Sequence, residues 1–130
     1  MIERADLPRV IAIAESQGFR FRHSAGVDML LYGESTSARN AIHLLFAHEK
    51  VKASQLEEHP AIRPTRTGLH GQDFLVIPVL DLVRMKLNSF RDKDCVHIRG
   101  MEAAGLITAE IESALSQEQR VRLAHIRETE

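Results

Sequence analysis

Cysteine occurs once, at Cys95, so no internal disulfide framework can form, and the single thiol fits a reducing compartment. Long apolar runs are missing as well. No window approaches the ~18 uninterrupted apolar residues of a membrane-spanning helix, and Met1 to Asp6 carries acids instead of the apolar core of a signal segment. The expectation is a soluble, untargeted chain with no membrane partner, placed by default in the cytoplasm. Charge of one sign is also lacking. Seventeen basic against 18 acidic residues leave a formal charge of -1, which provides no general field for a nucleic-acid backbone. Repeats, low-complexity tracts and Gly/Ser linkers are absent. With 130 residues and 44% apolar content, one hydrophobic core is expected, hence a single domain over 1–130.

Several catalytic signatures are missing too. The seven histidines contain no pair at helical i, i+3 or i+4 spacing, and His48-Glu49 lacks the second histidine of a zincin motif. There is no Gly-x-Ser-x-Gly elbow, no Gly-x-Gly-x-x-Gly and no Walker-type lysine. Cys95 is expected to pack on a helix, where a thiol is inert.

What is present is organised punctuation. Asp6, Pro8, the stripe Leu7, Val10, Ile11 and Ala14, and then Gly18 predict a first helix over Asp6 to Gln17 with Asp6 as its cap. Phe19 to Arg22 alternates at period two, and Val27 to Tyr32 is β-prone, so a hairpin is expected around Ser24-Ala25-Gly26. The apolar run Ala41 to Phe46 predicts a central strand, and Phe74 to Ile77 a short buried strand ended by Pro78. Between them, Lys52 to Gly71 is expected to be irregular, with at most a short strand inside.

Beyond Pro78 the period becomes helical. Val79, Leu80, Val83, Leu87 and Phe90 mark one helix; Val96, Met101 and Ala104 before Gly105 mark another. Thr108 is a candidate cap for Ile111 and Leu115, and Ser116 with Gln119 forms a capping-box pattern opening a last charged helix. The predicted fold class is α+β: a small mixed sheet with an N-terminal helix in 1–77 and a helical segment in 78–130.

The stretch Met85 to Asp94 carries five charges in ten residues. On composition it reads as a solvated helix end, with Asp92 or Asp94 capping the next helix and the Lys86 stem covering apolar surface. The alternative makes Lys86, Arg91 and Lys93 an anion-facing set, with Asp94 orienting one of them by an ion pair. A basic row on the first strand, Arg20, Arg22 and His23, is the weaker candidate surface, and nucleic acid is not an expected partner.

Val79 to Leu87, then Arg91, Lys93-Asp94 and Gly105-Leu106-Ile107 resemble the C-terminal motif of nucleotidyltransferase-fold proteins of the minimal and AbiEii-like group. The resemblance extends from the first helix to about Ile107. It implies nucleotidyl transfer from a nucleoside triphosphate with Mg²⁺ held by carboxylates, a phosphate-facing Lys86, and Asp94 as its support, within a toxin–antitoxin type of setting. The family's metal site uses Gly-Ser followed by Asp-x-Asp on a strand. This chain has no Gly-Ser, and its one Asp-x-Asp, Asp92 to Asp94, lies between helices. His43 and His97 stand where the family pattern offers acids. The expectation is therefore the phosphate-binding, C-terminal portion of such a fold, inactive alone, with no catalytic or metal-binding residue assigned. The alternative is a non-catalytic interaction or self-association module, because a sheet lacking its first half exposes an edge to a protein partner or a second copy.

Overall fold

The computed structural model describes residues 1–69 and 72–129; expectations falling on residues 70 and 71 lie outside the described part. The chain forms two compact units, Met1–Ala53 and Ser54–Glu130.

In the first unit, a 3₁₀ turn at Arg4–Asp6 leads into helix α1, Leu7–Ser16, with Pro8 in its first turn. Asp6 occupies the cap position but makes no side-chain cap bond, because it already has helical backbone angles. Strands β1, Phe19–Ser24, and β2, Val27–Tyr32, form the expected antiparallel hairpin. Ala25 and Gly26 both have positive φ, at 50° and 75°, which is the backbone twist that lets a two-residue turn join strands.

The central strand is β2, not the run Ala41 to Phe46. Only Ile42–His43 pairs, as edge strand β3, and both residues are exposed. The rest of that run leaves the ladder: Phe46 forms an isolated parallel bridge with Ile2, while Met29, Leu30 and Leu31 of β2 are buried together with Phe46 and Ala47. An apolar run marks burial without specifying who pairs with whom. The sheet is therefore antiparallel, order β1-β2-β3, where a mixed sheet was expected.

In the second unit, β4, Thr65–Leu69, and β5, Gln72–Val76, form a separate two-stranded antiparallel hairpin. The short strand inside the irregular connection is thus present. The burial expected near its partner is not, since Leu75 is 64% exposed. Four helices follow: α2, Val79–Ser89; α3, Asp92–Ala103; α4, Ala109–Ser113; and α5, Gln117–Glu128. The caps of α4 and α5 match the sequence pattern. Thr108 Oγ1 accepts from the Ile111 amide, and Ser116 and Gln119 bond each other's backbone N–H reciprocally.

The core of this unit joins Val83 and Leu87 of α2, Ile98 of α3, Leu115, and Leu123 and Ile126 of α5, with Cys95 packed against it. The polar side chains inside it are bonded. Gln119 Nε2 donates to Asn88 Oδ1 at 3.0 Å and to Glu57 Oε2 at 3.1 Å, which ties the segment after Ser54 to α2 and α5. The last carbonyls of α2, on Leu87 and Asn88, accept from Arg122 Nη1 at 2.7 and 2.9 Å, so the cation complements the negative helix end.

His59 is an exception, as is the Arg99 Nε, which has no partner among the described residues. His59 is 4% exposed, and neither ring nitrogen has a partner among the described residues. Burial lowers its pKa and keeps it neutral. Because the folded pKa lies below the unfolded one, the folded chain binds fewer protons in acid. Stability is therefore whole above the unfolded value of about 6.5 and falls as the pH drops below it. Urea denaturation at pH 7.5 and 5.5 should show the loss, with a slope of at most about 1.4 kcal/mol per pH unit. His59→Leu should flatten the slope; parallel losses in both proteins would refute this origin.

Candidate functional site

The corner between α2 and α3 brings three of the four sequence-selected residues together. Helix α2 does not run on past Ser89: Phe90 turns left-handed, at φ 48°, and Arg91 starts the next helix in extended conformation. A phenylalanine in that conformation costs backbone energy. Contacts hold it there, because the Arg122 guanidinium lies 4.8 Å over its ring and the ring packs against the helical core.

The reversal directs the start of α3 back toward α2. Asp94, 1% exposed, faces Lys86, one turn before the end of α2. Lys86 Nζ donates to Asp94 Oδ1 at 3.0 Å. Arg91 Nε donates to Oδ2 at 2.7 Å and its Nη2 to Oδ1 at 3.2 Å, while the Ser89 hydroxyl donates to Oδ2 at 2.6 Å. The Arg91 amide adds a bond at 3.3 Å, so Asp94 caps α3 from its third position. Burial alone would raise the Asp94 pKa. The donors, Arg91 first and then Ser89 and Lys86, outweigh it and hold the carboxyl well below its usual range.

His97, one helical turn after Asp94, completes the corner: its Nδ1 lies 2.9 Å from Lys86 Nζ. A lysine ammonium has three donors and no acceptor, so His97 accepts here as neutral imidazole with its proton on Nε2. Lys86, 21% exposed, thus commits two donors to Asp94 and His97 and keeps one. Arg91, 58% exposed, keeps donors beyond its two side-chain bonds to Asp94. Lys93 does not join: it is exposed and makes no polar contact among the described residues. Of the two expected caps, Asp92 or Asp94, it is Asp94 that bonds the backbone at the start of α3.

The donor set does not suit Mg²⁺. That ion requires several oxygen ligands at near-octahedral positions, and both Asp94 oxygens are occupied by cationic and hydroxyl donors. No group of three or more His, Cys, Asp or Glu residues among the described ones is placed to hold a metal ion. What the corner can do is present a fixed ammonium and guanidinium to an anion.

The row on β1 is otherwise engaged. Arg20 donates to the carbonyls of Gly33 and Ser35, Arg22 to that of Thr36, and His23 bonds Asp28. The two arginines fasten the loop after β2, and His23 pairs across the hairpin. Sequence reasoning missed Asp28, Arg4 and Glu49, which form a second polar cluster in the first unit. The available signal was an acid inside the apolar run Val27 to Tyr32, a placement that requires a partner.

Comparison with family models, with curated proteins and with solved structures finds no match.

Asp94→Asn tests the electrostatics of the corner. Removing the charge leaves Lys86 and Arg91 without their counterion, at an expected cost of about 1–3 kcal/mol. Since the folded pKa of Asp94 is depressed, its contribution is complete above the unfolded value, about 3.9, and disappears as the pH falls through the folded value. Denaturation of both proteins from pH 7 down to pH 2 should show the difference shrinking only below about pH 4. A constant difference across that range would show that the charge plays no part.

Proposed function

We propose that this chain is a nucleotidyltransferase-like protein whose α2–α3 corner binds the phosphates of a nucleoside triphosphate, and that it does not carry out nucleotidyl transfer by itself. The observation that carries the reading is the fixing of Lys86. A partly exposed ammonium held by a buried carboxylate and an imidazole, with one donor left over, is pre-oriented for a phosphate oxygen. Arg91, immobilised on the same carboxylate, adds a planar fork beside it. The resemblance of residues 79 to 107 to the nucleotidyltransferase motif supplies the ligand class. His97 on Lys86, where that motif offers an acid, is consistent with binding kept after metal-dependent chemistry is lost.

Isothermal titration with ATP, GTP, CTP and UTP in the presence of Mg²⁺ is the direct measurement. At least one should bind, and Lys86→Ala should weaken binding at least ten-fold, roughly the ~1.4 kcal/mol of one charge-assisted contact. Absence of binding by the wild type, or equal binding by the variant, removes the assignment.

A second reading, a non-catalytic interaction or self-association module, draws on exposed apolar side chains: Tyr32 and Ile42 in the first unit, and Leu75, Val96 and Val121 in the second. Light scattering over a wide concentration range should then report a mass that rises with concentration, and a constant monomer mass would eliminate self-association.

A further inference from the structure

The first unit contains a relay of polar contacts that shares no residue with the Lys86 corner. Arg4 grips Glu49 with two bonds, Nε to Oε1 at 2.9 Å and Nη2 to Oε2 at 2.5 Å, and its guanidinium lies 3.5 Å over the Phe46 ring. Its Nη1 donates to Asp28 Oδ2 at 2.7 Å. Asp28 is 6% exposed, and its other oxygen meets His23 Nδ1 at 2.5 Å. His23 and Asp28 are opposite each other in the β1–β2 register, next to the two-residue turn, so the backbone ladder itself sets their approach.

This arrangement determines the state of the imidazole. Burial would raise the Asp28 pKa, but the bonds from His23 and Arg4 outweigh it and hold the carboxyl below its ordinary value. An ionised carboxylate only accepts, so Nδ1 donates to Asp28, and in the neutral ring the lone pair is on Nε2. The Asp28 contact gives the imidazole a set tautomer in its neutral form, a set ring direction, and a carboxylate placed to stabilise positive charge on the ring. These are the requirements of a nucleophilic imidazole.

His23 is 62% exposed, and Nε2 has no partner among the described residues. It borders a recess also lined by Phe46, by Lys50, and by the two carboxylates that Arg4 bonds, Asp28 and Glu49. Lys50 is exposed and has no carboxylate partner among the described residues, so its charge is free for a ligand.

We propose that His23 Nε2 is a covalent acceptor site for a phosphoryl group, supplied by a small donor with a labile P–N or acyl-phosphate bond, and that Lys50 neutralises the phosphoryl oxygens. With phosphoramidate as donor, the Nε2 lone pair attacks phosphorus and an N–P bond forms. The P–N bond of the donor breaks, and its already protonated nitrogen leaves with the bonding pair as ammonia. The Nδ1 proton stays in place, and the positive ring that results is stabilised by Asp28. Asp28 and Arg4 are positioning residues here; neither touches phosphorus.

The 130-residue chain is incubated with potassium phosphoramidate near neutral pH, and the rate at each histidine is followed by ³¹P NMR and by peptide mapping under alkaline conditions. His23 is expected to react at least ten-fold faster than any of the six other histidines among the seven in the chain. Asp28→Asn should slow His23 at least ten-fold while leaving exposed His125 unchanged, a selectivity that a merely structural ion pair would not produce. Lys50→Ala should also slow it. Reaction of His23 no faster than that of exposed His48 or His125 overturns the proposal, as does an unchanged His23 rate in a folded Asp28→Asn protein. The comparison among histidines of the wild type decides the matter even where Asp28→Asn loosens the hairpin.

Discussion

Burial of a carboxylate is the constraint around which the second unit is arranged. Asp94 is 1% exposed at a helix junction whose apolar side is formed by Leu87 and Ile98, both fully buried. A charge so placed is tolerated only when nearly every lone pair is occupied. The left-handed Phe90 makes that possible, because it swings Arg91 and the start of α3 back over the end of α2. Ser89, Arg91 and Lys86 then converge on one side chain. The same residue joins the corner to α5, since Arg122 stacks on Phe90 while closing the last carbonyls of α2. Backbone reversal, helix capping and charge burial are thus one event, not three.

The first unit solves the same problem with strands. Asp28 is 6% exposed within an otherwise apolar β2, and Arg4 and His23 both bond it, as Arg91 and Lys86 bond Asp94. In both places the carboxylate has an oxygen left for a second basic side chain, Lys86 in one and His23 in the other. An arginine bonds each buried carboxylate, and a more adaptable base is held by it in a defined direction at the surface. The pairs differ in what the second base can do. Lysine remains an ammonium and suits electrostatic binding, whereas an imidazole with its Nδ1 proton held is an acceptor and a nucleophile.

Legibility in the sequence followed the range of the interaction. The helices, the Thr108 and Ser116 caps and the Phe19 to Tyr32 hairpin were readable because each depends on residues a few positions apart. Strand order and burial were not. Ala41 to Phe46 has the apolarity of a central strand but contributes only two paired residues, and Leu75 has a strand's composition on a hairpin that leaves it exposed. Pairings such as Arg4 with Asp28, or Gln119 with Asn88, span 24 and 31 positions and have no local signature. In the candidate site, Lys86, Arg91 and Asp94 were legible as a charged cluster. That Lys93 stays outside it and His97 enters it depends on a helix break that periodicity does not encode.

Composition could not separate a solvated helix end from an anion site because the two share every residue; what separates them is which partner is immobilised. In a solvated end, Lys86 and Arg91 would be mobile in water, and an anion would have to order them, at about 0.5–1.5 kcal/mol for each side chain. In the observed corner Asp94 has already ordered both. The same bonds settle what Asp94 itself can do. With its oxygens committed to Ser89, Arg91 and Lys86, it positions cations and has no lone pair aimed at an incoming metal ion. Under the proposed reading, the corner therefore separates two tasks that metal-dependent nucleotidyl transfer combines. Holding phosphate requires only oriented positive charge, whereas moving it requires a second cluster of carboxylates around the metal.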